Sequence, residues 1–306
     1  MNQRYQFDEK GFRFVVFFVC ICVLLVLLIK IGSNIGFNSY FSKQIPIVPT
    51  GLGRVSATEY EVMDIQSGKV IAERNPYATK PIASITKLMT ALVALQTLDL
   101  GAKTAVSAQA AAAYQETDFQ IGAKWTTSDL LYPLLMESSN DAASVLAETY
   151  PSSENPTTNS IPAKQAYAET AFVEAMNRQA ISIGMKNTSF DEPSGISYGN
   201  VSNANDLLKL TSYILKNQPV IFELTATKDK TVTTSEGMLN FNNINIFADD
   251  PNFIGGKVGY TPAAGETMLV VFRIPKGTEA GHTVGIVILG SNNRTQDINN
   301  ILAWLE

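Results

Sequence analysis

The hydrophobic pattern divides the chain into three parts: an apolar run near the N-terminus, a polar linker, and a long region that alternates between strand-like and helix-like periodicity. Residues 14–29 read FVVFFVCICVLLVLLI without a polar interruption. As a helix this run is roughly 24 Å long. Phe12, Ile31 and a snorkelling Lys30 extend it toward a full span. Residues 32–55 carry Pro46, Pro49, Gly51 and Gly53 and predict a linker. Residues 57–64 predict a strand, 66–68 a turn, and 69–74 the hairpin partner. Residues 84–98 are apolar on nearly all sides after the first turn and predict a buried helix. Helical patterns follow over 128–150, over 166–183 with Gly184 closing the helix, and over 202–215 with Ser202 as the N-cap. Residues 150–164 (YPSSENPTTNSIPAK) predict an exposed loop. Strand patterns return at 253–260, 267–274 and 282–289, and 293–305 closes the chain as a helix. There is no internal repeat.

Strands thus come from both ends of the region 56–306, with helices between. The simplest packing is α+β: one mostly antiparallel sheet built from both chain ends, an all-helical lobe, and a cleft where the two meet. The helix opened by Ser84 runs from one lobe into the other.

Composition narrows the chemistry. The 306 residues are 45% hydrophobic and 17% charged, which excludes disorder as the main state. The formal charge of −5 leaves no basic excess for neutralising phosphates and argues against a nucleic-acid partner. Cys20 and Cys22 both lie in the apolar run, so the rest of the chain has no thiol and no disulfide. The single histidine is His282. A zinc site draws on several His or Cys ligands and is not expected, nor is any other metal or cofactor. His282 opens an apolar strand and reads as structural.

The apolar run has two readings. A cleaved signal peptide has a shorter apolar core and a small-residue cleavage site, whereas Lys30-Ile31-Gly32-Ser33-Asn34 offers none. An uncleaved anchor over 14–31 is therefore the expectation. Arg4, Lys10 and Arg13 before the run, against Lys30 and Lys43 after it, orient it only weakly.

Three short patterns carry chemistry: Ser84-Ile85-Thr86-Lys87, Ser138-Ser139-Asn140 and Lys257-Val258-Gly259. Ser and Lys three apart on a helix share a face, so the amine reaches the hydroxyl. A serine hydroxyl needs a base, and a lysine kept neutral by burial or by a nearby cation can serve. Lys257 on a facing strand is the candidate for that second charge. Backbone N–H groups at the helix start can stabilise an oxyanion at Ser84. Ser138 can relay a proton, and the Asn140 amide can hold a peptide bond. Each pattern alone is common, and a cap or surface pair explains it. Their order, and their placement on a helix start, a helical lobe and a strand, set the three together apart. Glu137 and Asp141 flank the second pattern, where helix capping or local salt bridges account for them.

With PIASITKLMT (81–90), LLMESSNDAA (134–143), GMKNTSFDEPSG (184–195), GGKVGYTPAAGETMLVV (255–271) and the hairpin YEVMDIQSGKVIAERN (60–75), the sequence resembles the serine-type D-alanyl-D-alanine carboxypeptidases. These are the low-molecular-mass penicillin-binding proteins, of β-lactamase/transpeptidase-like fold. The similarity runs from about 57 to 305. It implies an acyl-enzyme on Ser84 with Lys87 as general base, Ser138 and Asn140 as the second element, and Lys257 and Gly259 in the third. It also implies that the Tyr260 N–H joins that of Ser84 in the oxyanion hole, and that Arg294 binds the substrate's terminal carboxylate. Peptidoglycan stem peptides would be the substrate and β-lactams covalent inhibitors. The anchor would leave residues 1–13 in the cytoplasm and place the peptidase domain, 56–306, outside a single-pass membrane segment.

Two departures qualify this. The family's third element reads Lys-Thr-Gly or Lys-Ser-Gly, and Val258 removes a hydroxyl that helps hold the substrate carboxylate, a role Thr261 is placed to share. Slow turnover is expected, and three alternatives stay open: a D,D-endopeptidase on the same site, a β-lactamase, or an impaired wall-binding homologue. Glu236-Gly237-Met238-Leu239-Asn240 spells the E-x-x-L-N of class A β-lactamases, but it lies only 21 residues before Lys257, in a strand or turn, and reads as chance.

Overall fold

A computed structural model describes residues 50–112, 119–151, 160–235, 237–276 and 279–306. The predicted anchor, Cys20 and Cys22, residues 152–159 of the predicted loop, and Glu236 lie outside the described residues. No helix among the described residues is long and apolar enough to cross a membrane.

The first hairpin is β1 (Glu59–Asp64) and β2 (Val70–Arg74). The helical lobe holds α1 (Thr86–Thr97), α2 (Thr127–Tyr132), α3 (Asn140–Glu148), α4 (Ile161–Ile183), α5 (Ala204–Asn217) and α6 (Val220–Ala226). A second hairpin, β3 (Asp229–Thr234) and β4 (Gly237–Asn242), precedes three long strands: β5 (Phe253–Thr261), β6 (Gly265–Lys276) and β7 (Glu279–Ser291). The chain closes with α7 (Arg294–Leu305), capped by the Asn293 side chain.

The main sheet has the order β2-β1-β7-β6-β5, and every pairing is antiparallel. Period-two alternation assigns its faces. Met268, Val270 and Phe272 of β6 point into an apolar cluster shared with Ile298 and Ile301 of α7. Leu269 and Val271 point the other way, into the larger core under the helical lobe. The sheet therefore lies between one helix and a lobe of helices. Helix α1 runs through the larger core, and every residue from Thr86 to Ala94 is buried, as its all-round apolarity predicts.

The structure corrects four local expectations. The helix expected over 128–150 is interrupted: Pro133–Glu137 form a π-helical turn, and Ser138 adopts a left-handed conformation (φ 66°) before α3 begins. Proline removes a backbone donor at that turn. Helix α4 starts at Ile161, so residues 161–164 are helical; Pro162 in the first turn is the signal for the earlier start. Asn203, not Ser202, caps α5, its Oδ1 accepting from Asp206 N at 2.8 Å. The β3–β4 hairpin and α6 are additional elements; residues 237–240 of the β-lactamase-like pentapeptide lie on β4. His282 is structural as expected, its Nδ1 2.8 Å from Asp64 Oδ2.

Candidate active site

Ser84 lies in a short 3-10 turn, Ala83–Ile85, that leads into α1, and Ala83 before it is left-handed at φ 50°. Two glycines press on this turn. A Cβ on Gly195 would lie 2.1 Å from the Ala83 carbonyl oxygen, and one on Gly259 would lie 2.8 Å from Ser84 N. Thr267 Oγ1 donates to Ile82 O at 3.1 Å and ties the turn to the sheet. Non-glycine residues in left-handed backbone cost about 1–3 kcal/mol and gather where the surroundings enforce a particular geometry. Ala83 and Ser138 are two of three such residues described; Ser138 lines the cleft, and Ala83 precedes Ser84, which lines it too.

Lys87 is fully buried one turn after Ser84. Its Nζ lies 3.1 Å from Ser84 Oγ, 2.7 Å from Asn140 Oδ1 and 2.6 Å from Ser194 O. Asn140 is the first residue of α3, and Ser139 caps that helix, its Oγ accepting from Ala142 N at 3.1 Å. The left-handed Ser138 thus forms the corner between the π-turn and α3.

Strand β5 is an edge of the sheet. The Gly256 N–H points off that edge and donates to Thr225 Oγ1 of α6 at 2.9 Å. By alternation the N–H groups of Val258 and Tyr260 leave on the same side, and from there the edge opens into the cleft. Lys257 is 1% exposed on the face toward the larger core, and its Nζ donates to Val258 O at 3.1 Å. Burial holds the Lys257 amine well below the usual lysine value, and the charges of Lys87 and then Arg294 add to the effect. The sequence suggests Lys257 as a fixed cation beside a neutral Lys87; in the structure Lys257 is itself an amine whose charge is disfavoured.

A cleft of about 420 Å³ is lined by Ser84, Ser138, Asn140, Gly259, Tyr260, Thr261 and Arg294, all expected from the sequence. Lys87 and Lys257 lie buried beneath it. Arg294 Nη1 donates to Gly259 O at 2.8 Å, and the Arg294 N–H donates to Glu266 Oε2 at 2.7 Å, so the start of α7 is fixed against the cleft-lining strand. Thr261 Oγ1 accepts from Ala264 N at 3.1 Å, which leaves its own proton for another acceptor. Val258 reaches the cleft wall, but its side chain is 4% exposed and belongs to the apolar cluster under α7.

Three lining residues were not expected. Gly195 and Ile196 come from the 191–200 loop, and Ile244 from the segment after β4. Glu137 also lines the cleft and departs from the capping or salt-bridge role. Its Oε1 accepts from Asn242 N at 2.8 Å, and no described cation pairs with it. Asp141 sits in the first turn of α3, where an acidic residue complements the helix N-terminus. Among the described residues no group of three or more His, Cys, Asp or Glu is placed to hold a metal ion.

Comparison with known proteins fits this arrangement of a serine, two buried amines and an arginine around one cleft. The family model for D-alanyl-D-alanine carboxypeptidase, peptidase family S11, matches residues 44–293. The D-alanyl-D-alanine endopeptidase of Pseudomonas aeruginosa is 34% identical over 255 residues, 80% of this chain and 76% of that protein. The D-alanyl-D-alanine carboxypeptidase DacB2 of Mycobacterium tuberculosis is 31% identical over 218 residues, 70% of this chain and 69% of that protein. The crystal structure of the Streptomyces K15 DD-transpeptidase superposes with a TM-score of 0.72 at 27% identity, covering 83% of this chain and 98% of that one. The α+β fold is thus that of the penicillin-binding peptidases, and the chain belongs to the S11 family of serine D-alanyl-D-alanine peptidases.

Proposed function

We propose that this protein removes the terminal D-alanine of peptidoglycan stem peptides through an acyl-Ser84 intermediate, as a D-Ala-D-Ala carboxypeptidase. The observation that carries this is the placement of Lys87 Nζ, 3.1 Å from Ser84 Oγ, with the Asn140 Oδ1 and Ser194 O carbonyl oxygens at 2.7 and 2.6 Å. The carbonyls can only accept. In the neutral amine each can take an N–H bond, and the lone pair can accept the Ser84 proton. Ser84 Oγ then attacks the scissile carbonyl, and the N–H groups of Ser84 and Tyr260 hold the oxyanion. Lys87 passes the proton by way of Ser138 to the leaving amine. The Asn140 amide holds the acyl-side peptide bond. Arg294, with Lys257 and Thr261, receives the terminal carboxylate. That negative charge favours a proton on Lys257, which in turn disfavours one on Lys87. Water then attacks the acyl-enzyme along the same route.

A second reading, hydrolysis of D,D cross-links, is favoured by the name of the 34% identical relative, an endopeptidase. A β-lactam acylates Ser84 as its ring amide bond opens and the ring nitrogen takes the proton, and the resulting ester inhibits. The apolar run 14–29 anchors the chain in a single-pass arrangement, with residues 1–13 in the cytoplasm and the peptidase domain outside. A membrane fraction free of the full-length chain after alkaline washing would refute the anchor.

The primary test is labelling with a fluorescent penicillin. Wild-type protein is expected to be labelled and Ser84→Ala not. Absence of label on the wild type would leave the wall-binding reading, and rapid release of the label would favour a β-lactamase. Incubation with a defined pentapeptide monomer and a cross-linked dimer separates the two peptidase readings: release of D-alanine from the monomer supports the first, cleavage of the dimer alone the second.

A further inference from the structure

The 191–200 loop contributes to the site without any of the three motifs. Its carboxylate, Glu192, turns inward on its own loop. Oε2 accepts from Ser194 N at 2.7 Å, and Oε1 accepts from Gly195 N at 2.6 Å, Ser197 N at 3.3 Å and Asn200 Nδ2 at 2.7 Å. Asn200 is fully buried; its Nδ2 also reaches Thr86 Oγ1 at 3.3 Å, and its carbonyl accepts from Ile82 N at 3.1 Å. Thr90 of α1 donates to Pro193 O at 2.5 Å. The loop is thereby fastened to both sides of the Ser84 turn.

The Gly195 N–H and the Ser194 C=O belong to one peptide unit. In a trans peptide they point in opposite directions. On one side the N–H meets the Glu192 carboxylate at 2.6 Å, and on the other the carbonyl meets Lys87 Nζ at 2.6 Å. A carboxylate bonded to the N–H both fixes the peptide plane and polarises the carbonyl, which makes it a stronger acceptor. A Cβ on Gly195 (φ +95°) would lie 2.1 Å from Ala83 O, so this peptide packs directly on the Ser84 turn.

We infer that Glu192 is a positioning residue for the acylation step, holding Lys87 in line with Ser84 through the Ser194–Gly195 peptide. This rests on the acyl-serine reading above. The titratable groups facing the relay are Lys257 on β5, beside Lys87, and Glu169 on α4, beside Glu192. Burial, and then the Glu192 charge, raise the Glu169 carboxyl.

The substitution Glu192→Gln changes little volume but replaces one acceptor oxygen by a donor, which opposes an N–H of the loop. The full-length protein and this variant are acylated with a fluorescent penicillin from about pH 6 to 10. Rates are expressed per penicillin-titratable site, so partial misfolding does not mimic the effect. The expected result is a plateau rate about 10- to 100-fold lower, as for a misaligned base. The rising limb, which belongs to the Lys87–Lys257 pair, moves to lower pH by about half a unit or more, because the ammonium loses a strong acceptor. An unchanged rate, or a lower rate with an unmoved limb, would overturn the inference, since a general structural loss gives only the second. Failure of the wild type to label would instead overturn the acyl-serine reading.

Discussion

Gly259 offers the sharpest test of how the backbone holds the cleft. A Cβ built there lies 2.6 Å from Thr267 Oγ1, 2.8 Å from Ser84 N and 3.0 Å from Ala83 Cβ. The Thr267 side chain cannot simply rotate away without losing its bond to Ile82 O at 3.1 Å. Ser84 N is backbone and must move bodily, by roughly half an ångström, to restore van der Waals contact. Overpacking of this kind costs about 1–3 kcal/mol. In a domain of this size that lowers Tm by roughly 2–12 °C. The effect on chemistry is larger. Ser84 N is a proposed oxyanion donor, and the loss of one such donor costs about 100- to 1000-fold. Gly259→Ala is therefore expected to fold, with a modest fall in Tm by circular dichroism, and to lose about two orders of magnitude in the stopped-flow rate of acylation by a fluorescent penicillin. Gly101→Ala is the control: its Cβ meets only Asp99 Oδ1, at 3.6 Å. Acylation of Gly259→Ala within about threefold of wild type would refute the claim that this strand and the Ser84 turn are in functional contact.

Arg294→Gln is expected to raise KM for a D-Ala-D-Ala peptide by about 10- to 150-fold, the worth of a hydrogen bond to a charged group. An unchanged KM would reduce Arg294 to a tie between α7 and Gly259. Val258→Thr is expected to raise kcat/KM for the same peptide by up to about tenfold by restoring a hydroxyl, at a stability cost of about 1–3 kcal/mol for burying it in the cluster under α7. No gain would show that the hydroxyl cannot leave that cluster. Glu61 gives a pH dependence unconnected with the cleft. Burial raises its pKa to about 7, partly offset by the Asn205 hydrogen bond. The folded state keeps this proton to higher pH than the unfolded chain, so the group's contribution is full below about pH 4.5 and is lost as pH rises through 7. Glu61→Gln is expected to leave urea stability near pH 4 unchanged and to raise it by about 3 kcal/mol near pH 9; equal stability of the two proteins at pH 9 would show that Glu61 is not buried in this way.

What the sequence made legible follows from what kinds of contact leave a pattern. The β1–β2 hairpin and the three C-terminal strands were readable because burial on one face leaves a period of two, and α1 because it is apolar on all sides. The Ser84–Lys87 pair was readable because helical spacing alone puts the two side chains together. The break at Ser138 was not read, although Pro133 and the cap-forming run Ser138-Ser139-Asn140-Asp141 both signal that one helix ends and another begins there. Ser202 and Asn203 are both capable caps, and the choice between them depends on which side chain reaches Asp206 N. The β3–β4 hairpin did leave a trace, in alternating threonine and valine before Gly237.

Glu192 lies in the 184–195 segment, but its role there left no pattern, because its partners include backbone N–H groups of its own loop and the Asn200 amide. Gly259 was legible as part of Lys-Val-Gly and Gly195 as part of the 184–195 segment, but neither pattern shows that the importance of each lies in the side chain it lacks. In this cleft the proposed reacting groups are carried by recognisable side chains, whereas peptide units and two absent β-carbons help set the distances between them. The proposed chemistry is therefore expected to be lost through a single added methyl group at 195 or 259, while Ser84, Lys87, Ser138 and Lys257 all remain in place.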